Sequence, residues 1–149
     1  MTTSFDIRPL GAQDRSQWGL LWRGYLDFYG GEIAQAHDDL LFDRLMNADV
    51  EDLQAWVAEV DGTLTGLVHI VVHSHTWRAE KVTYLQDLFA TPDMRGKGVG
   101  RALIEKVYAD ADANGRGTVY WMTQRSNETA RKLYDRIGQP TDFMKYSRT

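Results

Sequence analysis

The chain contains no cysteine. That absence removes a disulfide framework, a thiol nucleophile and every thiolate-bound metal. Proline is scarce, with 3 residues in 149, and no Pro- or Ser-rich tract or internal repeat marks a linker or an array. Long apolar runs are missing too. The stretch Leu64–His75 falls well short of the ~20 residues that a membrane span needs, so no membrane partner is expected. The opening Met1-Thr-Thr-Ser-Phe-Asp-Ile7 lacks the basic and apolar parts of a secretory leader, and a cytoplasmic location is expected from it. Positive charge is not in excess either. The net charge is −4, which gives no support to nucleic-acid binding through bulk charge.

What is present fits one soluble globular domain over residues 1–149. Hydrophobic residues make up 43% and charged residues 26%, too apolar for disorder. A chain of this length buries roughly 68–70% of its unfolded surface. The charge is unevenly spread. Residues 1–61 carry 12 acidic against 4 basic side chains, whereas residues 62–149 carry 9 against 13. One half favours a cation and the other an anion, if the charges are more than solvated helix faces.

Periodicity supplies the elements. Phe5–Arg8 reads as a short strand. Asp14–Tyr29 places Trp18, Leu21, Trp22, Tyr25, Leu26 and Tyr29 at helical spacing and ends at Gly30-Gly31. Asp38–Met46 is a second helix. Gln54–Val60 and Leu64–His73 are strands joined at Asp61-Gly62, a strong hairpin signal. Val82–Ala90 is a further strand, bounded by Thr91-Pro92. A helix then follows Arg95–Gly100, with apolar positions Leu103, Ile104, Val107 and Ala111. Thr118–Met122 is a short apolar strand, Asn127–Ile137 a helix that stops at Gly138, and Phe143–Ser147 a last strand. The order β α α β β β α β α β predicts an α/β (α+β) layered fold, a mixed twisted sheet with helices on both faces.

The segment with the most chemistry is Leu88-Phe-Ala-Thr-Pro-Asp-Met-Arg95-Gly96-Lys97-Gly98-Val99-Gly100-Arg101. A strand ends, a glycine-rich turn follows and a helix begins. Alternate glycines let the backbone curl so that several N–H groups face one concavity, and the helix N-terminus adds partial positive charge. Arg95, Lys97 and Arg101 add formal cations. The pattern suits a phosphate or pyrophosphate. It is neither a Walker A loop, since Gly98 follows Lys97, nor the dinucleotide fingerprint, since Arg101 and Leu103 stand where the third glycine would fall.

Arg95-x-x-Gly98-x-Gly100 resembles the [Q/R]-x-x-G-x-[G/A] signature of the GNAT superfamily of N-acetyltransferases. Asn127-Glu-Thr-Ala130-Arg-Lys-Leu133-Tyr134-Asp-Arg-Ile-Gly138 resembles a second segment of the same family. The element order is similar along essentially the whole chain, and the family fold implies about 6–7 strands. Tyr84-Leu-Gln86-Asp87-Leu-Phe89, with Val119-Tyr-Trp121, most resembles the branch that acetylates polyamines and histones.

The resemblance implies acetyl-CoA as cosubstrate and no metal. It implies that the backbone of Leu88, Phe89 and Ala90 meets the pantetheine arm and thioester. Arg95, Gly96, Lys97, Gly98, Val99, Gly100 and Arg101 would hold the pyrophosphate, and Asn127 would contact the cofactor near the same arm. Tyr134 matches the family's general acid for the departing thiolate. The site would need to lower its pKa, since a phenol titrates near 10 and a thiol near 8.5. Spermidine-type enzymes are implied to use a Glu base where this chain has Gln86, which cannot take a proton. Asp87 follows, but adjacent strand residues point to opposite faces, so it either works from a distorted strand or plays another part. A water chain is the alternative.

The acceptor is expected in the acidic first half, near Trp22, Tyr25, Asp27, Phe28, Tyr29 and Glu32. Tyr29 and Glu32 are the foremost candidates because they lie at the loop, and Gln86 is a further substrate-binding candidate. His69, His73 and His75 alternate along a strand. They could share a face to bind zinc, or one of them could help deprotonate the amine. Three readings remain: an acetyltransferase for a small cationic amine, one for a peptide Lys or N-terminus, and a non-catalytic acyl-CoA sensor. A homodimer is implied by the resemblance alone.

Overall fold

The computed structural model describes residues 4–148; Met1, Thr2 and Thr3, on which part of the expectation of no leader rests, lie outside them. The chain runs β1 (Asp6–Pro9), α1 (Arg15–Tyr29), α2 (Gln35–Met46), β2 (Leu53–Val60), β3 (Thr63–His73), β4 (Val82–Ala90), α3 (Val99–Ala113), β5 (Val119–Tyr120) and α4 (Glu128–Ile137). A single 3-10 turn precedes α1, and another, Pro92–Met94, follows β4.

Asp61 and Gly62 both have positive φ, 48° and 82°, and Val60 pairs directly with Thr63. This is the two-residue turn with the twist that a hairpin favours. The sheet therefore grows by neighbours, in the order β1-β2-β3-β4-β5. All pairs are antiparallel except β4–β5, where α3 forms the crossover that makes β5 parallel.

Both faces of the sheet are covered. Ala55, Val57, Leu67 and Phe89 pack against Trp18, Leu21, Trp22 and Leu26 of α1 and Phe42 of α2. Trp56, Ala58, Val68, Ile70, Val72 and Leu85 pack against Val99, Leu103, Ile104 and Val107 of α3, with Leu133, Tyr134 and Ile137 of α4 alongside. Each such large apolar side chain stabilises the fold by roughly 1.5–3 kcal/mol when buried. Gly66 on β3 lets the first turn of α3 approach closely, since a Cβ there would lie 2.7 Å from Val99 and 3.2 Å from Leu103.

Three expectations are corrected. Helix α2 begins at Gln35 rather than Asp38, because Asp38 sits buried in its first turn. There it accepts from Trp22 Nε1 at 3.1 Å and Arg23 Nε at 2.8 Å, which tie α2 to α1. The sheet has 5 strands among the described residues rather than about 6–7. The missing one is Phe143–Ser147, which forms no strand; the adjacent β5 is only 2 residues long, and Phe143 and Tyr146 remain 90% and 88% exposed. With so short a ladder at the edge, nothing pins that segment to the sheet.

Candidate active site

The site begins with an irregularity in β4. His69 of β3 pairs with Asp87, but the next residue, Ile70, pairs with Leu85, so Gln86 is an extra residue in the ladder. Such a bulge bends a strand and breaks its alternation. Leu85 and Leu88, separated by two residues, both pack on the α3 side, while Asp87 turns to His69 on the α1 side. The strand is thus locally distorted at Asp87, as one of the two readings of that residue requires. The bend also parts β4 from β5, which pair only at Thr83↔Val119 and Tyr84↔Tyr120. Beyond that point Leu88, Phe89 and Ala90 form an open backbone edge along a groove of about 620 Å³.

The glycine loop closes one end of this groove. Gly96 and Gly98 hold φ of 78° and 87°, and Gly98 caps α3. The first bond into the helix is Ala102 N–H to the Gly98 carbonyl at 3.0 Å, so the N–H groups just ahead of it are left for an anion. Gly96, Gly98, Val99, Gly100, Arg95 and Arg101 line the groove, Val99 with its side chain buried in the core. Lys97 does not line it. The Arg95 guanidinium folds back over the rings of Phe28 at 4.9 Å and Phe89 at 5.7 Å, joining the end of α1 to the loop. Arg101 pairs with Glu105 at 2.8 Å. Lys132 and Arg136 of α4 also reach the groove. Sequence reasoning passed over them, although their i,i+4 spacing on a helix beside the loop was a usable signal. Asn127 lines the groove while its Oδ1 accepts from Ala130 N–H at 3.4 Å, capping α4.

A second cavity, about 270 Å³, lies beside the first. Tyr25, Tyr29, Gln86, Trp121, Tyr134 and Lys145 are among its walls. Tyr29, Leu88 and Tyr134 line both spaces and therefore mark their junction. Glu32 and Asp27 are exposed and line neither. Asp87 stands behind Tyr25, its side chain 13% exposed. Its Oδ2 accepts from His69 Nδ1 at 3.0 Å, and His69 Nε2 accepts from the indole N–H of the fully buried Trp18 at 3.0 Å. The strand histidines do not converge. His73 instead meets the Tyr120 hydroxyl at 2.6 Å, and among the described residues no group of His, Asp and Glu is placed to hold a metal.

Burial governs the phenols here. It pushes Tyr25 far up, with the Asp87 charge adding to the effect. Tyr29 also rises through burial, opposed by Arg95. Burial, with a smaller contribution from Tyr29, pushes Tyr134 up to about 12. The site therefore raises the Tyr134 pKa rather than lowering it. A phenol whose folded pKa lies above its unfolded value of 10 stabilises the fold fully below pH 10. That stabilisation is lost as pH climbs towards about 12. Alkaline titration followed by phenolate absorbance should show Tyr134 and Tyr25 ionising only above pH 10 and together with loss of near-UV dichroism. Free ionisation of every tyrosine near 10 in a still-folded protein would contradict the assigned burial.

Comparison with known proteins agrees with this geometry. The sequence profile described as "Acetyltransferase (GNAT) family" matches residues 18–139. The chain is 33% identical over 143 residues to the D-amino-acid N-acetyltransferase HPA3 of Saccharomyces cerevisiae, covering 95% of this chain and 89% of that one. Among solved structures, the ribosomal-protein-alanine N-acetyltransferase from Brucella melitensis biovar Abortus 2308 superposes with a TM-score of 0.82 at 24% identity, covering 98% of this chain and 99% of the other. The aminoglycoside N-acetyltransferase AAC(6')-Iy, in complex with the bisubstrate analog CoA-S-monomethyl-acetylneamine, gives 0.85 at 18% identity, with 98% of each chain covered.

Proposed function

The chain belongs to the Acetyltransferase (GNAT) family, and we propose that it moves the acetyl group of acetyl-CoA directly to a small primary amine that is cationic in solution. The observation that carries this reading is the meeting of groove and cavity at Tyr29, Leu88 and Tyr134, so that a thioester from one side and an amine from the other share a wall. The residues present fit acetyl-CoA. The open edge of β4 offers N–H and C=O groups to an extended chain of amides, as an added strand would use them. The α3 N-terminus with Lys132 and Arg136 offers a positive end for the pyrophosphate. Acetyl-CoA supplies the activated acyl carbon and a thiolate leaving group. No protein nucleophile is required.

The chain's own groups handle the protons and the placement. Tyr25 and Tyr29 wall the acceptor cavity, their rings tilted at 50° with centroids 4.8 Å apart, and their faces suit an alkylammonium. An ammonium has no lone pair, and Asp87, whose charge acts on the cavity wall Tyr25, is the carboxylate assigned to receive its proton. Gln86, exposed on the bulge, offers an amide to the amine rather than a base. Tyr134 stays a phenol at neutral pH and donates to the departing sulphur.

A second reading rests on Lys145. Among the described residues lining the acceptor cavity it carries the one formal charge, and a cation there suits an acceptor with a carboxylate beside its amine. HPA3 is named for acetylating D-amino acids. One assay separates these readings: free-thiol release from acetyl-CoA with spermidine, putrescine, lysine, D- and L-amino acids and a histone-tail peptide. Release with the small amines supports the proposal, and release with amino acids that is lost in Lys145→Ala supports the second reading. Tight acetyl-CoA binding without release from any acceptor would favour a sensor and overturn both.

A further inference from the structure

The role assigned to Asp87 leaves unexplained why its carboxylate is tied to a histidine inside an aromatic core. His69 is 5% exposed, and its ring lies 5.1 Å from that of Trp22 and 6.0 Å from that of Trp18. An indole N–H can only donate, so the 3.0 Å contact from Trp18 Nε1 requires a bare Nε2. The ring's proton is then on Nδ1, aimed at Asp87 Oδ2 at 3.0 Å. The imidazole has no equivalent alternative, because a flipped ring would turn C–H edges to Trp18 and Asp87 and lose both bonds, and a proton on Nε2 would set two N–H groups against each other. Trp22 cannot relieve this, since its own N–H is spent on Asp38, which Arg23 holds at 2.7 Å. The row starts at a fully buried indole and ends where Asp87 meets Tyr25, a wall of the acceptor cavity. Buried polar groups of this kind rarely add stability over apolar ones, so the row needs another reason.

We propose that His69 is a positioning residue: Trp18 locks it as the neutral Nδ1–H tautomer, and it in turn holds Asp87 as an oriented carboxylate behind Tyr25. This rests on the acetyl-transfer reading and deepens it. The bulge at Gln86 is part of the device, because it is the shift in register that brings Asp87 opposite His69. Asp87 can then accept a proton from the amine, directly or through the Tyr25 phenol, which would pass its own proton to Asp87 as it takes the amine's.

Two readouts on the full chain test it. In the free wild-type protein, long-range proton–nitrogen correlation of the imidazole should show a protonated Nδ1 and a bare Nε2 through neutral pH. An Nε2–H tautomer or an imidazolium would overturn the lock. With the amine that turns over, His69→Phe should lower kcat by about 10–100-fold, less than loss of the proton-accepting group itself. The KM for acetyl-CoA should stay within about twofold, because His69 lies outside the groove. His69→Asn places an amide N–H near the former Nδ1–H and should restore most of the lost kcat. A folded His69→Phe with wild-type kcat, or an Asn variant as impaired as Phe, would overturn the positioning role. A wild type that acetylates no amine would sink the acetyl-transfer reading, and the role of His69 with it, while leaving the tautomer measurement standing.

Discussion

Tyr134→Phe should lower kcat by about 10²-fold, the low end of the range for general acid catalysis, with the Kd for acetyl-CoA almost unchanged. The magnitude follows from the phenol's setting. Burial of this α4 side chain, with the Trp121 ring 5.5 Å away, pushes the Tyr134 pKa up to about 12. Against a free thiol near 8.5, complete proton transfer to the leaving sulphur would be uphill by roughly 5 kcal/mol. On the proposed reading the phenol therefore acts mainly as a hydrogen-bond donor that stabilises charge as it develops on sulphur. Removing one such preorganised donor costs about 10²–10³ in rate. Because the phenol ionises so late, no fall in kcat from Tyr134 should appear until pH approaches about 12. Stopped-flow thiol release and calorimetric titration with acetyl-CoA, on wild type and variant, check both parts. A kcat within twofold of wild type would remove Tyr134 from the chemistry.

Gly98→Val should cost at least about 10²-fold in affinity for acetyl-CoA and leave the fold standing. A Cβ at Gly98 meets nothing within 4 Å, so the effect is not a clash. It is a backbone effect. Gly98 holds φ of 87°, and a β-branched residue there costs on the order of 1–3 kcal/mol, which the loop escapes by turning its peptides. Those peptides carry the N–H groups at the start of α3 on which the anion site depends. The core half of α3, with Leu103, Ile104 and Val107 fully buried, is untouched, so melting should fall by only a few degrees. Gly115→Ala is the matched control. Gly115 also has positive φ, 68°, with nothing near its Cβ, but it lies at the far end of α3. It should lower stability slightly and leave acetyl-CoA affinity alone. Unchanged affinity in Gly98→Val would take the pyrophosphate away from this loop.

The local elements were legible because each has a short-range cause. Apolar spacing set α1 and α3, Gly30 with φ of 67° ended α1, and Asp61-Gly62 closed the β2–β3 turn. The anion loop was legible for the same reason, since alternate glycines before a helix have a local physical meaning. Where distant pairing decides, the local pattern falls short. The strand at Phe143–Ser147 had the right composition, but β5 is too short to pair with it. Glu32 has a fitting charge and loop position but lines neither cavity.

The chain alone thus determined the class of fold and the glycine turn with its free N–H groups, while the family resemblance nominated Tyr134. These depend on residues within one or two turns of one another. Tertiary structure decided what the carboxylate and the histidine mean. Asp87 and His69 are 18 residues apart and meet only because a single extra residue at Gln86 shifts the ladder. Since side chains in a strand alternate with period two, a one-residue slip changes the face that Asp87 serves, and nothing in the local sequence states that the slip occurs.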